Sequence, residues 1–422
     1  MTTPRQLDDA RHHLSTLMSS AYGQLGLLPP DTPLTPHLVA ALTGTGPDTG
    51  AAVLQALADA NLAHDWPGRA GLVDHGHARH AALAHPDTGS SQARHTTTGR
   101  LADWLLATAA RAEALITPAQ APGQHPGPAQ PAPLHTCDQA HTWLHQHRAI
   151  IHWAITRTHL AGHHDLAWRL ADLHLRYLMR RRDLTAAIVL AEDYALPAAC
   201  RAGAGADDGR FGAHLALAAA LTRTGRHREA IGHARTALEM ARRRPVTDQA
   251  LALHHRGDIH RRTGEWEKAR IDLGNALNRW DAAADSRGAA VSRILLGTLD
   301  PGQGLAHLIR ARDDLSALGE HHDAARAIVH LARDRVRHGD LTSTMAVALQ
   351  ATQRVFAAGG SEHRQAQALE MRAVLAVALN GPRYAADLLD QAREQYQRAH
   401  SYDEAERVLR TLHDITAPAL AL

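Results

Sequence analysis

Histidine is the residue whose number most invites chemistry in this chain. There are 33 histidines among 422 residues, and four follow one face of a predicted helix at steps of four, seven and seven: His141, His145, His152 and His159. Two histidines at i and i+4 can share a zinc ion. However, no Asp, Glu or Cys joins this face, Arg148 lies among the histidines, and the apolar side of the helix lies roughly 100° or more away. The stripe therefore predicts a solvated helix face, with a metal site and an anion or partner contact as the alternatives.

A second group of histidines lies near the N-terminus, at His12-His13 and at His75, His77 and His80. No HExxH motif accompanies them, so the general base of that type of zinc site is missing. We therefore predict surface histidines here.

Lysine and cysteine chemistry is almost absent. Lys268 is the only lysine, and it lacks the preceding glycine of a GxxxxGK[ST] phosphate loop. Cys137 and Cys200 are the only cysteines, which indicates neither a disulfide framework nor a cysteine-rich zinc module. No catalytic residue, metal ligand or cofactor-binding residue is predicted, and the sequence favours a non-catalytic protein while leaving an enzyme open.

Charge and hydropathy limit the classes of partner. The formal net charge is only +2, so nothing globally basic demands a nucleic acid. No stretch approaches about 18 consecutive apolar residues, and the N-terminus lacks an apolar run of the signal-peptide type. We expect a cytoplasmic protein with no membrane partner, and a homo-oligomer stays open.

The elements that would position a site follow from an internal repeat. The segment RTGRHREA at 223–230 returns 39 residues later as RTGEWEKA at 262–269. In each copy one helical pattern precedes the glycine and another follows it. Small residues on one face, such as Ala230, Ala234 and Ala237, let a second helix approach closely. The repeating unit is therefore a helical hairpin.

The hairpin resembles a tetratricopeptide repeat, since Leu253, Gly257 and His260 have the spacing of that pattern before its turn. Further turn signals recur roughly every 37 to 43 residues, at Arg181 to Asp183, Gly225, Gly264, Pro301-Gly302, Gly339 and Gly381-Pro382. Aromatic residues make up only 4% of the chain, which favours helices packed through small side chains. The predicted fold is all-α, with a tetratricopeptide-repeat superhelix over 137–422.

The N-terminal segment has a different pattern. Helices are predicted over 35–43 and 48–60, and two short strands over 62–65 and 69–73. This order predicts a winged-helix-like domain with a short β-hairpin over 1–96. Its second helix, in the place of a recognition helix, contains no Arg or Lys, which argues against DNA contact through the winged helix.

Two connecting segments are predicted before the repeats. A helix over 97–117 follows the N-terminal domain. Six prolines then occur between Pro118 and Pro133, a spacing that forbids a helix and predicts an extended linker over 118–136.

Scattered positions across these segments carry a family likeness: Arg100-Leu101-x2-Trp104-x-Leu106-Ala107-Thr108-Ala109, then Trp143-Leu144 before Arg148 and Ile150, then Ala167-Trp168-Arg169-Leu170-Ala171. Together with the winged-helix pattern and the repeats, they resemble the C-terminal half of actinobacterial AfsR-type STAND regulators. That family also has a nucleotide-binding domain, which this sequence lacks, and often a His-Asp pair where this chain has Asp74-His75. The resemblance implies the interaction half of such a regulator, in which repeats sense or recruit a partner, and it leaves open a separate NTPase protein.

The first helix of each tetratricopeptide hairpin lines the inner face of the array. On the Gly257 register, His254, Asp258 and Arg261 would lie on that face. Arg326 and Arg333 would lie on it in the Gly339 repeat. An arginine there can hold a carboxylate by two hydrogen bonds, for example a peptide terminus.

The predicted function is a non-catalytic regulatory or scaffold protein that binds a protein or peptide through the concave face of its repeats. Two alternatives stay open. One is a small-molecule or peptide-sensing receptor, or accessory enzyme, on a helical-repeat scaffold. The other is a transcriptional regulator that uses the winged helix.

Overall fold

The computed structural model describes most of the chain, namely residues 4–12, 14–30, 32–64, 71–84, 90–118, 129–300, 302–339, 342–379, 381–399 and 401–416. These residues form α-helices and one sheet of two short strands. The all-α class is therefore confirmed. The chain divides into two compact units, one of residues 1–175 and 190–210 and the other of residues 176–189 and 211–422.

The helices that lie in the first unit or begin in it are α1 Pro4–His12, α2 Thr16–Gly26, α3 Pro36–Thr43, α4 Pro47–Asp59, α5 His75–Ala84, α6 Ser91–Ile116, α7 Cys137–Leu160 and α8 His164–Arg181. A short helix α9 covers Leu184–Leu190, a π-helical turn covers Ala191–Ala195, and α10 covers Leu196–Arg201. A 3₁₀ turn, Ala204–Ala206, follows. Strand β1, Ala63–His64, pairs antiparallel with β2, Gly71–Leu72.

Capping residues set several helix boundaries. Thr35 caps α3, with Pro36 at its first position, and its side chain accepts a hydrogen bond from the Leu38 amide. Helix α6 begins six residues before the predicted start because the Ser90 side chain caps it, accepting from the Ala93 amide at 3.1 Å.

The predicted hairpin and linker are only partly within the described residues. The strands lie inside the two predicted ranges, whereas the intervening turn at 65–70 lies outside the described residues. Residues 119–128 of the predicted linker are also outside them. Where the linker is described again it runs against α6, since the Ala132 amide donates to Thr108 Oγ1 at 3.1 Å and Arg111 Nε donates to the Leu134 carbonyl at 3.1 Å. The winged-helix arrangement and the limits 1–96, 97–117, 118–136 and 137–422 stay predictions.

The second unit consists mainly of consecutive helical hairpins. Its helices are α11 Asp207–Arg223, α12 His227–Ala241, α13 Val246–Arg262, α14 Trp266–Ala282, α15 Ser286–Leu296, α16 Gly304–Ala317, α17 His321–Arg337, α18 Ser343–Ala358, α19 Glu362–Leu379, α20 Pro382–Arg398 and α21 Tyr402–Thr416. The predicted turns lie between paired helices, although Pro301 itself is outside the described residues. Gly225 and Gly264 have φ of +77° and +78°, a left-handed conformation that favours glycine.

Small residues allow helices to pack closely both within a hairpin and between consecutive hairpins. A Cβ atom on Gly257 of α13 would lie 2.7 Å from Leu273 Cγ of α14, and one on Gly288 of α15 would lie 2.4 Å from the Trp280 ring. Alanines 230, 234 and 237 are fully buried. The first helices also contact one another, α13 with α15, α15 with α17, and α17 with α19. Helices α13, α15, α17 and α19 therefore form one layer, which we call the inner layer.

Candidate functional site

Asp258 of α13 anchors the part of the site that the sequence predicted. Arg261 Nη2 donates to Asp258 Oδ1 at 2.6 Å, and Arg262 Nε donates to Asp258 Oδ2 at 3.2 Å. Burial raises the pKa of Asp258, but the positive charges of Arg261 and Arg262 outweigh it and hold the pKa below its ordinary value. Asp258 is therefore an anion whose two oxygens are already occupied by arginines of its own helix.

His254 links α13 to the next helices of the inner layer. Its Nδ1 lies 3.0 Å from Ser292 Oγ of α15. Burial lowers the pKa of His254 to about 3, and the charges of Arg326 and Arg261 add to that effect. The structure thus brings His254, Asp258, Arg261 and Arg326 into one electrostatic neighbourhood. At neutral pH the imidazole is uncharged.

Arg326 of α17 shares a buried carboxylate with a neighbouring helix. Arg326 Nη1 donates to Asp323 Oδ1 at 2.7 Å, and Arg287 Nη2 of α15 donates to Asp323 Oδ2 at 2.7 Å. Burial raises the pKa of Asp323, yet the two arginines together keep it below its ordinary value. The Nε–H of Arg326 is buried and has no acceptor among the described residues.

Arg333, the fifth predicted residue, lies about two turns beyond Arg326 on α17. Within the described part of the chain it has neither a hydrogen bond nor an ion pair. It lies near His330, whose pKa is lowered to about 3 by burial and then by the charges of Arg333, Arg326 and Arg261. All five predicted residues are therefore on the inner layer and belong to connected neighbourhoods.

Sequence reasoning missed four further arginines that surround this region. Together with the predicted Arg326 of α17 they form what we call the arginine cluster: Arg182, Arg223, Arg262, Arg326 and Arg364. Arg182 directly follows α8, and Arg223, Arg262 and Arg364 belong to α11, α13 and α19. The side chains in it are half-buried, except that Arg262 is exposed. The internal repeat held part of the signal, because Arg223 and Arg262 are equivalent positions in its two copies.

Arg223 and Arg364 are the members of the cluster without a carboxylate partner among the described residues. Arg223 Nη1 donates only to the Met179 carbonyl, at 3.2 Å. Burial, followed by the charge of Arg326, lowers the pKa of Arg223 to about 10. Arg364 has no hydrogen bond at all within the described ranges, and burial lowers its pKa well below the ordinary value. Both guanidiniums are therefore cations held in an unfavourable environment.

Five histidines of the inner layer complete the region, and all are neutral at pH 7. Burial is the largest cause of each lowered pKa, which is about 3 for His254, about 4 for His255, about 3 for His322, about 3 for His330 and about 2 for His363. Near the cluster the fixed positive charge is therefore carried by arginine alone. A site of this kind can bind anions, since guanidinium groups form paired hydrogen bonds with carboxylates and phosphates.

The histidine stripe of α7 lies in the first unit and is not a uniform surface. His145 and His152 are exposed, whereas His141 and His159 are half-buried. His152 and His159 both lie edge-on to Tyr194 of the π-helical turn, with ring centroids 5.8 and 6.2 Å away. Across the ranges that the structure describes, no three His, Cys, Asp or Glu side chains are grouped so as to hold a metal ion.

The N-terminal histidines make contacts within their own unit. His77 Nδ1 lies 2.9 Å from the Tyr22 hydroxyl and His77 Nε2 lies 3.0 Å from Asp8 Oδ1. His75 Nε2 lies 2.7 Å from the Leu28 carbonyl. His77 therefore joins α5 to α1 and α2. His13 is outside the described residues.

Comparison with solved structures identifies the fold. The chain is similar to a STAND protein with a tetratricopeptide-repeat sensor from Pyrococcus horikoshii, with a TM-score of 0.55 and 12% identity over 97% of this chain and 55% of that one. It thus spans about half of that protein's length. A Rap protein complexed with competence and sporulation factor aligns less well, with a TM-score of 0.46 and 12% identity over 66% of this chain and 84% of that one.

No known protein family and no curated protein matches the sequence itself. The structural similarity nevertheless agrees with the helical hairpins described above. The chain therefore has a tetratricopeptide-like helical-repeat fold. Among the described helices, none has the length and apolar character needed to cross a membrane.

Proposed function

We propose that this chain is a non-catalytic regulatory or scaffold protein of the cytoplasm that binds a protein or peptide through the inner layer of its repeats. One observation carries the proposal: cationic side chains from α11, α13, α17 and α19 converge on one region, and two of them lack a carboxylate partner among the described residues. A binding surface of this type suits an acidic partner because several of its guanidinium groups have hydrogen-bond donors available for a carboxylate.

The geometry supports an acidic segment of a partner more than an apolar one. Asp258 and Asp323 each accept hydrogen bonds from two arginines, so they do not compete with a partner's carboxylate for the remaining arginines. A carboxylate of the partner would gain charge-assisted hydrogen bonds from Arg333 or Arg364, which have none within the described chain. Such contacts are stronger than those between neutral groups.

The relation to AfsR-type regulators is part of this proposal. A repeat segment described as a sensor occurs in the STAND protein of similar fold, and this supports a partner-sensing role for the repeats here. We further propose that α3, α4 and the β-hairpin form a winged-helix-like packing module. Helix α4 offers no Arg or Lys for phosphates, so a mobility shift with duplex DNA should show only weak retardation that salt abolishes.

Crosslinking and affinity capture from the native host test the proposal. The variant Arg326→Glu with Arg333→Glu should lose the captured partner because it reverses two charges of the inner layer. A matched control is Arg228→Glu with Arg235→Glu, which has the same spacing of seven residues on α12 and changes two exposed side chains.

Circular dichroism should show that both double variants keep the helix content of the parent protein. Capture that is equal for the parent and for the Arg326/Arg333 variant would reject the inner layer as the binding surface. Loss of capture by the control variant alone would place the interface on the second helices.

A further inference from the structure

Among the residues that the structure describes, the arginine cluster has two positive charges without a carboxylate partner. Arg262 and Arg326 pair with Asp258 and Asp323, and Arg182 Nη2 lies 3.5 Å from Glu404. That leaves Arg223 and Arg364, two positive charges without a carboxylate among the described residues. Repulsion between these like charges is unfavourable unless an anion lies between them.

Several hydrogen-bond donors of the cluster also lack acceptors. Arg364 donates to no atom of the described chain, and the Nε–H of Arg326 is buried without an acceptor. Arg223 donates one hydrogen bond, from Nη1 to the Met179 carbonyl, and its other donors have no acceptor among the described residues. A buried donor without an acceptor is unfavourable, so the Nε–H of Arg326 would be stabilised by a bound acceptor, and the half-buried guanidiniums of Arg223 and Arg364 have donors available to the same acceptor.

The surroundings allow the site to discriminate between anions. Arg223, Arg326 and Arg364 come from three different helices that meet in this region. Helices α17 and α19 contact each other. The end of α8 joins α11 to the start of α19, because Arg223 Nη1 donates to the Met179 carbonyl at 3.2 Å and Arg181 Nη1 donates to the Gly360 carbonyl at 2.7 Å. A single carboxylate has two oxygens and one negative charge, which one guanidinium satisfies by a bidentate pair. A phosphate monoester has three acceptor oxygens and a charge of about −1.5 to −2, which matches two unpaired cations and a third donor.

We propose that the arginine cluster binds the phosphate group of a monoester or diphosphate, held by Arg223, Arg326 and Arg364. The inference rests on the proposed function and specifies the chemistry of the partner. Two sources share this chemistry: a phosphorylated side chain of a protein partner and a small phosphorylated molecule.

Binding of pyrophosphate to the full chain, measured by calorimetry at constant ionic strength, tests the phosphate site. Arg364→Gln and Arg223→Gln should each weaken it about 10-fold or more, because each removes charge-assisted hydrogen bonds. The matched control, Arg228→Gln, changes an exposed arginine of α12 and should leave the affinity unchanged. Both test variants remove an unpaired cation, so their thermal unfolding midpoints should not fall.

Citrate and two peptides complete the experiment. Citrate carries several carboxylates and should bind more weakly than pyrophosphate. A phosphoserine peptide that binds more tightly than its aspartate counterpart would identify a protein source, and pyrophosphate binding with no preference between the peptides would identify a small molecule.

The proposal is overturned if pyrophosphate does not bind, if citrate binds as well, or if Arg364→Gln binds pyrophosphate like the parent. Its failure can be told apart from that of the proposed function. Capture of a protein partner without pyrophosphate binding would refute only the phosphate site. Pyrophosphate binding without any captured partner would refute only the scaffold function.

Discussion

Acidification should destabilise the second unit through the histidines of its inner layer. Burial lowers the pKa of His254, His255, His322, His330 and His363 to between about 2 and about 4, whereas an unfolded histidine titrates near pH 6.5. Below that pH the unfolded chain binds protons that the folded chain does not. Stability is therefore full above about pH 6.5 and is lost progressively as the pH falls toward the folded pKa values.

The magnitude follows from the linkage relation. Between pH 7 and about pH 5, proton binding to one such histidine in the unfolded chain lowers the free energy of unfolding by about 2 kcal/mol. These side chains are half-buried, except that His363 is buried, and solvent screening reduces the effect to about 1 kcal/mol each. Five histidines together would then remove about 5 kcal/mol, a large share of the total stability of a typical domain.

Urea denaturation at a series of pH values measures this dependence. His330→Gln should make the loss of stability between pH 7 and about pH 5 smaller by about 1 kcal/mol, since one proton-binding site of the unfolded chain is removed. His321→Gln is the matched control on the same helix, at an exposed position. A parent protein whose stability is flat across this range, or a His330→Gln variant with the parent's slope, would refute the reasoning.

Four further substitutions can be checked by urea or thermal denaturation. Asp323→Asn should lower stability by about 3 kcal/mol, because it leaves two half-buried arginines without the buried carboxylate that they share; a loss within error would contradict this account. Gly264→Ala should lower it by about 1 kcal/mol because φ is +78°, whereas Gly274→Ala, inside α14 with no atom within 4 Å of the new Cβ, should raise it by about 0.5–1 kcal/mol. Arg364→Gln should raise the thermal midpoint by a few degrees by removing an unpaired cation, and a lower midpoint would show that the arginine stabilises the empty protein.

The stability of the empty protein and its binding capacity are opposed at the arginine cluster. Arg223 has its pKa lowered to about 10, which means that the folded environment disfavours the charged guanidinium. An anion bound there would offset this penalty. We therefore expect a ligand that binds the folded cluster and not the unfolded chain to raise the thermal midpoint.

The sequence alone determined the helical hairpins and their turns. Gly225 and Gly264 return at the same place in two copies of one pattern, and a left-handed turn between two helices needs a residue of that kind. Small residues at helical spacing likewise indicated close packing, which Gly257 and Leu273 show. These features depend on neighbours within one or two turns, so local physical rules are enough to predict them.

The register that places His254, Asp258 and Arg261 on the inner face follows from Gly257 by helical spacing, and it stays a prediction. Only the tertiary structure decided which charges meet. Arg223 and Arg364 are separated by 141 positions in the sequence. The stacking of several hairpins brings them close enough for the charge of Arg223 to lower the pKa of Arg364. The charge state of a buried histidine or arginine depends on every helix packed around it, so no local pattern could have supplied it.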